Sequence, residues 1–171
     1  MTHLVLVGLM ATGKTTVGRL VADSLGRPLL DSDDQVEART GRTVREIWRT
    51  DGEAVYRKLE ADALADALDA VEPSVIAAAG GVVLADENRA RLRGADVDVV
   101  WLRARPDTLL ARIEEADDVH RPLLDDDPAG MLERMARDRT PLYAAVADRV
   151  VDVDDRAPAQ VADEIIEGAS R

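Results

Sequence analysis

Cysteine and phenylalanine are both absent from this 171-residue chain. Without cysteine there is neither a disulfide framework nor a thiolate metal site. Two tryptophans and two tyrosines are the whole aromatic complement, too few for the stacking platforms that hold single-stranded nucleic acid. The two histidines, His3 and His120, lie too far apart to suggest a zinc motif. No apolar run approaches the roughly 20 residues a membrane helix needs. The N-terminus lacks the basic, apolar and small-residue pattern of a secretory signal. A cytoplasmic location is therefore expected. Basic charge is also scarce: 22 Lys and Arg face 34 Asp and Glu, a net charge of −12. Such a surface repels a phosphate polymer and an anionic membrane alike. Neither nucleic acid nor membrane is expected as a partner. Small anionic ligands are compatible with it, because local arginines reverse the field inside a cleft.

What is present reads as one α/β domain over 1–171, of a length that buries roughly two-thirds of its surface. Short apolar runs alternate with longer helical patterns, which points to a parallel sheet covered by helices. Strands are expected at 3–8, 28–33, 74–81, 98–104 and 149–153. Helices are expected at 14–25, 52–68, 106–116 and 158–168. A brief helix falls within "VREIWRT", started by a capping box of Thr43 and Glu46. The stretch 117–128, "DDVHRPLLDDDP", is charged and without an apolar period, and reads as a loop. A helix breaks at Pro141.

Residues 4–16 read "LVLVGLMATGKTT", and Lys14 is one of only two lysines. Gly8 to Thr15 fit G-x-x-x-x-G-K-[ST] directly after a strand pattern and at the opening of a helix, the context this phosphate cradle requires. Glycines let the backbone wrap phosphate, and amides at the helix N-terminus point at the anion. Lys14 supplies a compact charge between the β- and γ-phosphates that an arginine fork does not reproduce. The Thr15 hydroxyl suits Mg²⁺. The plain alternative is a glycine turn that caps a helix. A guanine reader is not expected, since Asn88 is the only asparagine.

The strand "DVVWLRA" does not end in a metal-holding acid, so the carboxylates are sought in "LLDSDD". Asp31 and Asp33, two apart, project to one face if the chain there is extended. One then supports magnesium and the other orients an attacking hydroxyl; taken alone, both read as turn or cap residues. Glu53, Arg57 and Glu60 share one helix face, either as a solvated ion-pair row or as acids that aim Arg57 at a carboxylate. Arg121, among the aspartates of 117–128, suits a lid that closes over ATP. Arg139 either contacts a ligand or complements a helix end. Gly80 and Gly81 end a strand where ligands gather in such sheets, or simply make a tight turn. Trp48 and Trp101 read as packing.

Together these motifs resemble the shikimate kinase family over nearly the whole chain. "GLMATGKTTVG" resembles its P-loop, and "DSDDQVEARTGRTVREIWRTDGEAVYRKLE" its D-x-D segment followed by the G-E-x-x-F-R-x-x-E helix. "RPLL" resembles its lid and "RDRTPLY" its R-x-P-L-Y segment. The resemblance implies a three-layer α/β/α fold of P-loop kinase type, with a five-stranded parallel sheet. It also implies a mobile lid at about 114–128 and substrate-binding helices at about 33–62. The implied reaction transfers the ATP γ-phosphoryl group to the 3-hydroxyl of shikimate, with Mg²⁺, in a monomer whose partners are small molecules alone. ATP would be held by Ala11, Thr12, Gly13, Lys14, Thr15 and Thr16, by Arg121 from the lid and by Arg156 near the adenine. Thr15 and Asp31 would support the metal, and Asp33 would meet the substrate hydroxyl. Arg57 and Arg139 would clamp the carboxylate, while Gly80 and Gly81 approach the ring. The chain departs from the family at Ala79, where a glycine is usual, and at Tyr56, where phenylalanine is common. Its lid also runs slightly long between Arg112 and Arg121. Two other readings stand beside this one: a kinase of another hydroxy acid or cyclitol such as gluconate, and a non-catalytic nucleotide-binding regulator.

Overall fold

A computed structural model describes residues 2–116 and 127–169. Five parallel strands, β1 (His3–Val7), β2 (Leu29–Asp31), β3 (Val75–Ala77), β4 (Val97–Arg103) and β5 (Arg149–Asp152), lie in the order β2-β3-β1-β4-β5. The helices are α1 (Lys14–Leu25), α2 (Ser32–Thr40), α3 (Val44–Asp51), α4 (Glu53–Leu68), α5 (Asp86–Leu92), α6 (Pro106–Glu115), α7 (Pro128–Ala144) and α8 (Pro158–Ala169).

Strand β1 runs through the centre, so all five of its residues are buried. Successive side chains point to opposite faces. Val5 and Val7 pack with Leu64, Leu109, Leu132 and Tyr143 on one side of the sheet. Leu4 and Leu6 pack with Val17, Val21, Val161 and Ile165 on the other. The layers are therefore α4, α6 and α7, then the sheet, then α1 and α8. A third, smaller cluster of Val36, Ile47, Tyr56 and Ala63 binds α2 and α3 to α4. It holds together the helices that follow β2.

All five expected strands are present, and the capping box of Thr43 and Glu46 is formed on both sides. Three expectations need correction. First, the chain is extended only to Asp31 and then turns into α2. Asp31 caps that helix: its Oδ1 accepts from the Asp33 and Asp34 amides at 3.0 and 3.5 Å. Two further acids in the first turn suit the helix dipole. Asp33 is thus a helical residue and not a strand residue. Second, Pro128, read as the end of the loop, opens α7, and residues 86–92, to which the sequence gives no element, form α5. Third, α7 passes through Pro141 to Ala144. One buried face of Leu132, Met135, Arg139 and Tyr143 holds the turn despite the missing amide, so Arg139 sits inside the helix and not at its end. Trp101 stacks on Tyr143 with ring centroids 5.6 Å apart.

Candidate active site

The loop between β1 and α1 lies at the carboxyl end of the central strand, where ligands bind in such sheets. A Cβ on Gly8 would meet the Leu102 carbonyl oxygen at 2.4 Å, and Gly8 has φ 148°; no other residue fits. Lys14 Nζ donates to the carbonyl oxygens of Gly8 at 2.9 Å and Leu9 at 2.8 Å, so its charge bridges the loop it follows. The buried Thr12 hydroxyl donates to the Leu9 carbonyl. Ala11 has φ 61°, a left-handed conformation that costs a side-chain-bearing residue about 1–2 kcal/mol. Replacing Ala11 with glycine relieves that strain but adds freedom to the unfolded chain. The expected balance is a gain of up to about 1 kcal/mol, or roughly 2–4 °C in Tm, read by scanning calorimetry.

A cleft of about 310 Å³ opens beside this loop, lined by Ala11, Gly13, Lys14, Thr15, Thr16, Asp31, Asp33, Ala79 and Gly80. The Thr15 hydroxyl donates to Asp31 Oδ2 at 2.6 Å. Although α2 replaces the extended segment, Asp31 and Asp33 still face one space. Loss of hydration within the cleft pushes the Asp33 carboxyl up from its ordinary value, although the residue keeps a solvent-exposed side, and the Asp31 charge adds to this. A hydrogen bond from the Tyr56 hydroxyl and the charge of Lys14 oppose the rise.

Arg57 and Arg139 meet at the glycine pair from different helices. On α4, Arg57 Nη1 donates to both oxygens of Glu60 at 3.0 and 3.2 Å, and Nε to Glu53 at 3.3 Å. Its guanidinium also lies 5.5 Å from the ring centroids of Trp48 and Tyr56. Glu60 is 1% exposed while Glu53 stays open to solvent, so the row is buried at its Glu60 end, where that acid aims the arginine. Burial pushes the Glu60 carboxyl up, and Arg57 partly offsets it. On α7, Arg139 Nη1 donates to the Gly80 carbonyl at 3.2 Å. A Cβ on Gly80 would lie 3.7 Å from Arg139 Nη1, and one on Gly81 would lie 1.8 Å from Arg57 Nη1. Gly81 is therefore a close-approach position, whereas a Cβ on Gly80 would meet at tightest the Gly8 carbonyl oxygen, at 3.3 Å.

A second hollow, of about 290 Å³, lies across the loop from the first. It is lined by Ala11, Thr12, Gly13, Thr16, Arg112, Val153, Arg156 and Pro158, among others. Arg156 is braced there by the carbonyls of Asp152 and Gln160 and by the Glu164 carboxylate. The sequence marks Arg112 only as the near end of the lid and assigns it no contact. Its Nη1 donates to the carbonyls of Ala11 and Thr12, and its Nη2 to that of Val153. These contacts span 100 residues or more to the loop, and nothing local around Arg112 signals them. Arg121, His120 and most of the lid fall outside the described residues.

Thr15 and Asp31 form a small oxygen donor set. It fits Mg²⁺, which usually keeps several waters and takes one or two protein ligands plus substrate phosphates. Among the described residues no cluster of three acidic, histidine or cysteine side chains is poised to hold a metal alone. No helix there is long and apolar enough to cross a membrane.

A family model described as shikimate kinase matches residues 10–170. A shikimate kinase of Symbiobacterium thermophilum is 46% identical over 166 residues, covering 96% of this chain and 94% of the relative. Among solved structures, shikimate kinase from Acinetobacter baumannii in complex with shikimate superposes with a TM-score of 0.92 at 33% identity, over 99% of this chain and 93% of its own. A gluconokinase from Sinorhizobium meliloti matches with a TM-score of 0.64 at 18% identity, over 99% of this chain and 92% of its own. That last likeness is one of fold.

Proposed function

The chain belongs to the shikimate kinase family, and from that membership we propose how its cleft transfers the ATP γ-phosphoryl group to the 3-hydroxyl of shikimate. The amides of Ala11 to Thr16 receive the phosphates at the N-terminus of α1. Lys14 exchanges its two carbonyl partners for phosphate oxygens. Thr15 and Asp31 would hold Mg²⁺, whose charge would offset that of the phosphates. Asp33 accepts the hydrogen bond of the 3-hydroxyl and takes its proton as that oxygen bonds to phosphorus and ADP departs. Arg57 and Arg139 hold the carboxylate at the far end of the acceptor, beside Gly80 and Gly81. The hollow at Arg112 and Arg156 takes the adenine. Catalysis is then mostly positioning and charge stabilisation.

One observation carries this division of labour. Two guanidinium groups from α4 and α7 reach one glycine pair, and Gly80 lines the same cleft as Lys14, Thr15 and Asp33. Paired guanidiniums suit an acceptor with a carboxylate and disfavour a neutral cyclitol. A regulator that does no transfer has no use for Asp33. The working form is a cytoplasmic monomer, checked by light scattering in solution. The assay is ADP release with Mg²⁺ and shikimate: turnover is expected to depend on shikimate, and turnover no faster with it than without it would reject the reading.

Gly81 has φ −89°, which alanine adopts without strain, so Gly81→Ala acts only through Arg57. The added methyl displaces the guanidinium from its seat. The expected result is a shikimate KM raised roughly tenfold and a lowered Tm, because Nη1 also bonds the buried Glu60 carboxylate, with the KM for ATP near that of the parent.

A further inference from the structure

Asp33 carries the proposed hydroxyl contact, yet a carboxylate turns readily about its last torsion. Its neighbour Asp31 is fixed twice over, by the α2 amides at Oδ1 and by Thr15 at Oδ2. Asp33 has one comparable restraint. The Tyr56 hydroxyl donates to Asp33 Oδ1 at 2.8 Å. Among the described residues no hydrogen bond to Asp33 Oδ2 is formed, so that oxygen remains for the acceptor.

Tyr56 is well placed for this task. It is 5% exposed, and it packs in the small cluster with Val36, Ile47 and Ala63. Its ring lies 5.5 Å from that of Trp48. Burial and the charges of Asp33 and Glu60 hold its phenol far above the ordinary range, so the group stays a donor. It also precedes Arg57 on α4. The oxygen that meets the acceptor hydroxyl and the guanidinium that meets the acceptor carboxylate are thus referenced to one rigid helix.

We propose that Tyr56 is a positioning residue for phosphoryl transfer: it holds Asp33 Oδ1 so that Oδ2 points at the acceptor hydroxyl, and it ties that oxygen to the carboxylate clamp through α4. The inference rests on the proposed role of Asp33.

Its test is a double-mutant cycle of Tyr56→Phe and Asp33→Asn, read as kcat and KM for shikimate and for ATP. Phenylalanine keeps the packed ring and removes only the hydroxyl. Tyr56→Phe is expected to lower kcat about tenfold, the effect of one hydrogen bond to a charged group, with both KM values and Tm near the parent. Asp33→Asn is expected to lower kcat at least about 100-fold. Adding Tyr56→Phe to Asp33→Asn is then expected to cost nothing further, because the residue acts only through the carboxylate. A Tyr56→Phe enzyme within twofold of the parent in kcat, alongside an impaired Asp33→Asn, overturns the inference and leaves Asp33 in place. A tenfold loss that persists in the Asp33→Asn background, or one confined to KM, overturns it as well. An Asp33→Asn enzyme of parental kcat removes the reading on which it rests.

Discussion

Replacing Lys14 with methionine is expected to lower kcat on the order of 10³-fold. The methionine side chain is close in length but carries no charge, so the loss isolates electrostatics. Lys14 Nζ sits within 2.9 Å of the Gly8 and Leu9 carbonyls, which places the cation at the edge of the phosphate cradle before any nucleotide arrives. Little reorganisation is then needed as negative charge spreads over the transferring group. The fold is expected to survive, since Gly8, Thr12 and Arg112 shape the loop through contacts of their own. Lys14→Arg is expected to recover only a small part of the rate, because a planar fork is too broad for the space between two carbonyls. ADP release with saturating shikimate, measured beside Tm, separates the two effects. A Lys14→Met enzyme within tenfold of the parent would refute the role.

Arg57→Ala is expected to strike both the acceptor and the fold. Loss of one guanidinium from a buried carboxylate contact costs about 2–5 kcal/mol of binding, so shikimate KM rises roughly 30- to 5,000-fold while the KM for ATP changes little. The same change leaves Glu60, 1% exposed, without its two bonds to Nη1. An uncompensated buried carboxylate costs about 3–5 kcal/mol. The pH dependence follows from the direction of the Glu60 shift. Burial already raises this carboxyl, and removing Arg57 raises it further. The folded variant then holds a proton that the unfolded chain releases, so its stability falls as pH rises above the ordinary glutamate value. Denaturant melts are expected to show Arg57→Ala closer to the parent at pH 5.5 than at pH 8. Adding Glu60→Gln is expected to restore much of the stability at pH 8 but none of the shikimate affinity. Equal destabilisation at both pH values would show that Glu60 is not the source.

The parts of the molecule that the sequence declares are those whose signals are local. The buried strand and glycine turn around Lys14, the capping box at Thr43 and Glu46, and the one-sided row of Glu53, Arg57 and Glu60 each lie within a few residues. All are present as expected. Helix α2 escaped because Ser32 and Val36 are its only buried residues, leaving no apolar period to read. Its caps, Asp31 and Gly41, were the available clue. At Pro141 the local rule predicts a break, but burial of Arg139 and Tyr143 on either side overrides it. The grip of Arg112 on the loop and of Tyr56 on Asp33 joins residues 101 and 23 positions apart, and neither leaves a pattern in the intervening sequence.

The strand order β2-β3-β1-β4-β5 has an evolutionary corollary. Chain between β1 and β4 furnishes Asp31, Asp33, Tyr56, Arg57 and both glycines, whereas Arg112, Val153 and Arg156 all come after β4. Among the described residues Arg139 on α7 crosses back to the acceptor, and the phosphate loop at 11–16, which precedes β4, serves the donor. Drift or deliberate grafting within 32–62 can therefore re-address the delivered group to a new alcohol while the donor's grip is inherited unchanged, provided the newcomer still offers Arg139 an anion.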